Sequence, residues 1–327
     1  MNEVAPRPLT GWRLWLRRLG PWVIAGTAIA LVLERYPADE IATEMQQGDV
    51  LAMVPFALAL LTIGILMVAS SDYVVIRGCV DRPTYWVALR GKTGATLLNL
   101  VGYSAQAGGY GVWIARITGL SAAYTGGVVL YILSSELTAV SLVASASIWI
   151  GGATVPSGMR IAAPAIACVL LFLKLIGPLN LFGKQLPRVF RPWRDIVTKR
   201  SMLQVLLRTA HIYWMVLCTW GAAKAFGLDI PLSAMTTYLP IVLVVGSLPV
   251  NVGGFGAVQG AWLLLTPWAS GERVIAFSIL WQLVLAIGTL MRGLPFIRRV
   301  TAEIAEGRKR AAGQAPADEA ATAERTS

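Results

Sequence analysis

One histidine, His211, and three cysteines are the only imidazole and thiol groups among 327 residues. Cys79, Cys168 and Cys218 lie far apart and form no C-x-x-C pair, so neither a disulfide framework nor a metal site is expected, and they read as small apolar fillers. The sequence also lacks an Asp-x-Asp loop, a phosphate-cradling P-loop, a Gly-x-Ser-x-Gly elbow and a His-x-x-x-His pair. An enzyme is therefore not expected, and no cofactor is implied. Charge is scarce as well. Charged residues make up 14% of the chain against 56% hydrophobic, whereas a soluble domain averages about a quarter charged.

These scarcities define a polytopic, all-α integral membrane protein. Val50 to Ser70 carries no charge, and about 20 apolar residues rising roughly 1.5 Å each span a hydrocarbon core. The net charge of +11 does not indicate nucleic acid, because the basic residues fall in loops and termini, where they set orientation. Arg13, Arg17 and Arg18 precede the apolar run Pro21 to Leu33. That run has no small-residue cleavage site and reads as an uncleaved anchor.

The positive-inside rule orders the rest. The basic N-terminus (residues 1–19) is expected in the cytoplasm and the acidic loop Glu34 to Asp49 outside. The segment bearing Arg77, Arg82, Arg90 and Lys92 is expected inside, as is the basic loop Lys184 to Arg200. The crossings between two inside segments must be even in number, yet three candidate stretches lie there: Gly94 to Ile117, Ala122 to Ile148 and Ile161 to Gly177. The first, interrupted by Asn99, Ser104, Gln106 and glycines, is the one expected to enter and turn back, with the turn at its glycine cluster.

Met202 to Phe226 then crosses outward and Arg292 to Arg310 returns inside. Ser233 to Pro249, Phe255 to Trp268 and Arg273 to Met291 either all cross, or the first two form a hairpin broken at Pro249 to Gly256. Parity permits both. Counting broken segments, about 8 membrane helices fill residues 20–300, with a possible inverted repeat of transporter type. The tail 301–327, rich in Ala, Glu, Arg and Thr, reads as disordered and cytoplasmic.

Two copies of Gly-Gly-aromatic-Gly, Gly108-Gly109-Tyr110-Gly111 and Gly253-Gly254-Phe255-Gly256, mark the candidate site. In a bilayer such clusters are tolerated where protein covers the backbone or a polar cavity receives it; as plain surface turns they let helices end and pack closely. Pro249 and Asn251 flank the second copy, where Pro breaks a helix and Asn bonds freed backbone or a ligand.

Glu136, at mid-span beside Ser134 and Ser135, needs a partner or a watery cavity. It reads as a counter-ion to a bound cation or to Arg116, or as a structural pair. Arg116 follows the first cluster by about one helical turn and is placed to meet an anion held at exposed amides, or to anchor at the interface. Arg208 and His211 share one helix face and extend a polar path inward. Lys174 and Lys224 are expected to snorkel, and Trp12, Trp15, Trp22, Trp193 and Trp268 to sit at interfaces.

The segment from Asn99 through the first glycine cluster to Arg116 resembles the first signature of the lysylphosphatidylglycerol synthase transmembrane-region family. Ser247 to Gly260 resembles its second: a proline followed by a glycine-rich turn at the start of a late helix. The likeness covers roughly Val50 to Val300 and implies a flippase-like membrane domain without catalysis. Where many members carry Glu, this chain has Tyr110, so an ion-paired role does not transfer. The soluble aminoacyl-transferase domain does not follow, so lysyl-lipid synthesis is not expected.

The expected function is translocation of a phospholipid, glycolipid or related polar lipid between leaflets of the plasma or inner membrane. Membrane lipids with an anionic phosphate headgroup are the implied partners. The alternatives are a non-catalytic subunit or scaffold holding a lipid-synthesis enzyme and, less favoured, a lipid-linked transferase. The substrate-binding candidates are Asn99, Gly108, Gly109, Tyr110, Gly111, Arg116, Glu136, Arg208, His211, Pro249, Asn251, Gly253, Gly254 and Gly256.

Overall fold

A computed structural model describes residues 12–80, 84–151, 157–179, 187–248, 251–252 and 255–324. Over these residues the chain is almost wholly helical. In order come α1 (Trp12–Arg35), α2 (Ala38–Gln47), α3 (Val50–Cys79), α4 (Tyr85–Thr96), α5 (Tyr103–Thr118), α6 (Ala122–Gly151) and α7 (Ser157–Ile176). They are followed by α8 (Arg191–Asp195), α9 (Thr198–Ala225), α10 (Leu232–Ser247), α11 (Ala257–Trp262) and α12 (Gly271–Glu324). Between α10 and α11 lie β1 (Asn251–Val252) and β2 (Phe255–Gly256), an antiparallel pair with Asn251 opposite Gly256.

Four helical stretches among the described residues are long and apolar enough to cross a membrane: Val50–Cys79, Ala122–Ile148, Gly158–Leu179 and Gly271–Ala305. Two cores hold three of them, α3, α6 and α12, together with other helices. The larger joins α3, α6, α9, α10, α11 and α12 through residues such as Met53, Ile212, Met235 and Phe277. The smaller joins α3, α4, α5, α6 and the late part of α12 around Trp113 and Tyr131. In lipid the attraction between helices is mainly van der Waals contact, so small residues at crossings matter. A Cβ on Gly221 would lie 2.3 Å from the Phe56 ring, one on Gly293 2.4 Å from Leu97, and one on Gly94 2.8 Å from Val300. α7 is the contrary case. Ile161, Val169 and Phe172 are exposed along it, an apolar face suited to lipid.

Several expectations change. The uncharged stretch Val50 to Ser70 belongs to a longer helix: Asp49 caps α3 by accepting the Ala52 N–H at 3.0 Å, and it runs to Cys79, because Val74, Val75 and Ile76 continue the apolar pattern past Asp72. The acidic loop Glu34 to Asp49 contains α2, whose Ile41 is buried.

The stretch Gly94 to Ile117 is broken, but not at its glycine cluster. A 3-10 turn over Leu97–Leu100 and Gly102 separate α4 from α5, and Gly108, Gly109 and Gly111 all lie within α5. The break therefore falls at Asn99 and Gly102, while Gly109 serves packing: a Cβ there would come 2.1 Å from Leu98.

The tail expected to be disordered continues α12 to Glu324. Its first turn docks: Glu303 accepts from Arg90 Nη2 at 3.0 Å and from Trp113 Nε1 at 3.1 Å, and Ile304 packs on the smaller core. Ala, Glu, Lys and Arg, which dominate the composition beyond it, are strong helix formers.

Candidate functional site

The two breaks meet. Asn99, Leu100 and Gly102 from the α4–α5 break, and Gly246, Ser247 and Asn251 from the α10–α11 break, line one cavity of about 340 Å³. α3, α9 and α12 complete its walls with Gly64, Arg208, His211 and Arg292 among other residues. Broken helices leave backbone groups unpaired, and a protein interior accepts them where a polar cavity or a side chain takes their place.

At the second break a side chain does so. Asn251, which is buried, donates from Nδ2 to the Val245 carbonyl at 2.5 Å and accepts the Val258 N–H on Oδ1 at 3.0 Å. One amide thus ties the end of α10 to the start of α11. Gln259 Oε1 accepts the Gly256 N–H at 2.7 Å, and Gly256 has φ 129 and ψ −127, a region closed to residues with a Cβ. Asn251→Ala is expected to lower stability by about 1–3 kcal/mol, because the amide of Val258 loses its acceptor inside the bundle. A thermal melt of the purified variant measures it, and a melting point equal to wild type would refute the clamp.

A buried charge cluster forms the other wall. Asp72 on α3 is fully buried and pairs with two cations, Arg208 Nη2 of α9 at 2.5 Å and Lys92 Nζ of α4 at 2.8 Å. Lys92 also stands over the Tyr110 ring, 4.7 Å from its centroid, and Tyr110 stacks on Trp113 at 5.6 Å. On α6, Glu136 accepts the Tyr103 hydroxyl at 2.7 Å. His211 lies against Gly64, with its Nδ1 buried and unbonded. Ion pairs at such depth hold only when each charge is matched, which ties α3, α4 and α9 to one geometry.

The sequence-derived candidates divide accordingly. Asn99, Glu136, Arg208, His211 and Asn251 line the cavity. Tyr110 lies behind it, on a smaller pocket shared with Lys92, Gln106 and Glu136. Gly108 is exposed and Gly111 faces Val129 on α6, so neither reaches the cavity. Gly256 shapes the second break. Pro249, Gly253 and Gly254 lie outside the described residues.

Arg116 sits exposed in the last turn of α5, outside the cavity lining, and pairs with no carboxylate among the described residues. Glu136 takes Tyr103 in its place. Lys174 does not snorkel: it is 1% exposed, donates to Ser135 Oγ at 2.6 Å and Ser134 Oγ at 3.1 Å, and lies 3.6 Å over the Tyr131 ring. The hydroxyls and the ring face replace the water its ammonium gives up.

Sequence reasoning missed Asp72, the hub of the cluster, and Arg292 as a cavity residue; Lys92 and Tyr103 were likewise not singled out as site residues. Both missed charges are embedded in apolar sequence on each side, Val68 to Ile76 and Leu290 to Ile297, and that flanking pattern was the available signal. Among the described residues no cluster of His, Cys, Asp or Glu is arranged to hold a metal ion.

Fold and site together define a helical membrane-protein architecture with a charged internal cavity. No known protein-family model matches the chain, and no curated protein matches it.

Proposed function

We propose that this protein is a lipid translocase of the flippase-like kind, which receives a polar headgroup in the central cavity and passes it between leaflets while the tails stay in the bilayer. One observation carries the reading: two interrupted helix pairs and a buried charge cluster line a cavity with both charged and apolar walls within a bundle of apolar helices. A charged interior is costly in a membrane protein and marks the path of a polar substrate by default. The α4–α5 and α10–α11 pairs fit two broken hairpins of an inverted repeat, counted among about 8 membrane-embedded helices. On this reading both termini are cytoplasmic, the membrane is the plasma or inner membrane, and the partners are lipids with an anionic phosphate headgroup. The motif resemblance to the lysylphosphatidylglycerol synthase transmembrane region points the same way.

Reconstitution tests it. Vesicles carrying the protein and fluorescent headgroup-labelled lipids are treated with a membrane-impermeant quencher. Quenching beyond the outer-leaflet half is expected for at least one lipid class. Accessibility equal to empty vesicles across anionic, zwitterionic and glycolipid probes would overturn the proposal.

A further inference from the structure

Four charged side chains line the cavity, and three have partners that account for their charge or their hydrogen bonding. Lys92 and Arg208 share the Asp72 carboxylate, and Glu136 accepts the Tyr103 hydroxyl. Arg292 is the exception. Its Nη1 donates to the Leu61 carbonyl and its Nη2 to Thr96 Oγ1 at 3.2 Å, both neutral acceptors, and its Nε is buried without a hydrogen-bond partner. No carboxylate pairs with it among the described residues.

The surroundings say what is missing. Leaving the imidazole aside, the lining cations Lys92, Arg208 and Arg292 stand against Glu136 on the lining and the fully buried Asp72 paired to two of them, three against two, an excess of one positive charge. A single negative charge restores the balance. Arg292 ends a row of mixed polar and apolar side chains on α12, Gln282, Leu285, Ala286 and Thr289, and Leu60, Leu61, Leu239 and Leu243 add apolar surface to the same lining. Asn99 and Thr96, also on the lining, add neutral polar groups close to the first break. An amphiphile with one anionic end and an apolar body matches that layout. A guanidinium with a free Nε–H has the fork that meets a phosphate oxygen pair, which a lysine lacks.

We propose that Arg292 is the anchoring residue for a phosphate monoanion, the phosphodiester of a lipid, held in the cavity at the α12 wall beside Thr96 and Asn99. The inference rests on the translocase reading and assigns the residue and the charge class of its substrate.

Titration calorimetry in detergent is the test, with three probes: a soluble dihexanoyl phosphodiester lipid with an uncharged glycerol headgroup, dihexanoylglycerol without phosphate, and inorganic phosphate. The wild type is expected to bind the phosphodiester lipid in preference to the other two. Arg292→Gln is expected to weaken that binding about 10- to 100-fold, the loss of one charge-assisted contact. Arg292→Lys, which keeps the charge but not the fork, is expected to fall between, and it serves where the Gln variant does not fold by its melting curve.

If Arg292→Gln or Arg292→Lys binds the lipid as tightly as the wild type does, Arg292 is not the anchor. If inorganic phosphate binds as tightly as the lipid, the site takes free phosphate and the lipid assignment is wrong. A wild type that binds none of the probes contradicts the translocase reading itself, an outcome distinct from an unaffected variant.

Discussion

Asp72→Ala is expected to lower stability by about 3–5 kcal/mol, the cost of stranding a buried charge whose partner has been removed. The variant strands two, since Lys92 and Arg208 converge on this one carboxylate and both are at least nine-tenths buried. Neither cation has another acidic partner among the described residues. Asp72→Asn keeps the shape and a hydrogen-bond acceptor and is expected to lose less. Adding Lys92→Met and Arg208→Met to Asp72→Ala removes the stranded charges and is expected to recover most of the loss. Equilibrium unfolding in mixed micelles reads all four proteins. A change below about 1 kcal/mol for Asp72→Ala would be in the range of an exposed pair and would contradict a buried hub.

The second large effect is expected away from the cavity. A Cβ on Gly127 of α6 would lie 2.0 Å from the backbone carbonyl oxygen of Val189, just before α8. No side chain can rotate aside there, so either α6 or the segment carrying Val189 must move. Gly127→Ala is expected to cost at least about 2–3 kcal/mol, the upper range for overpacking. Gly108→Ala is the control, since nothing lies within 4 Å of a Cβ there, and it is expected to stay within about 0.5 kcal/mol. Gly109→Ala meets only the Leu98 side-chain tip and should fall between. Thermal melts of the three variants rank them, and a Gly108→Ala loss matching that of Gly127→Ala would contradict the packing described.

That ranking separates what sequence could and could not give. Gly-Gly-Tyr-Gly and Gly-Gly-Phe-Gly look alike as text, yet the first lies inside α5, whereas Phe255 and Gly256 of the second lie in the break between α10 and α11. The difference comes from side-chain contacts that the Gly-rich text does not show, Leu98 and Val129 for the first cluster and the Asn251 clamp beside the second. Long apolar helices were legible because hydropathy is local and a bilayer demands length. The pairing of α4 with α5 was legible in outline from the polar residues Asn99, Ser104 and Gln106, although its turn falls at the first of them.

Charges were read least well. Asp72 stands just past the uncharged stretch that ends at Ser70, and it was not singled out. Lys174 near a span end looked free to snorkel, whereas the Tyr131 ring and two α6 hydroxyls, distant in sequence, hold it inward. Arg116 and Glu136 were natural candidates for each other by sign, but α5 points Arg116 outward and Tyr103 reaches Glu136 first. Which side chains share a cavity is decided by helix rotation and crossing, which no local pattern fixes.

That the two breaks wall one cavity open to water can be tested with single cysteines. With Cys79, Cys168 and Cys218 replaced by Ser, Asn99→Cys and Ser247→Cys put one thiol on each break. In proteoliposomes a hydrophilic maleimide, present on both sides of the membrane, is expected to label both positions, and a soluble dihexanoyl phosphodiester lipid is expected to slow labelling at both together. Labelling at neither position, with both thiols reactive only to a lipid-soluble maleimide, would place the breaks in hydrocarbon and contradict the cavity.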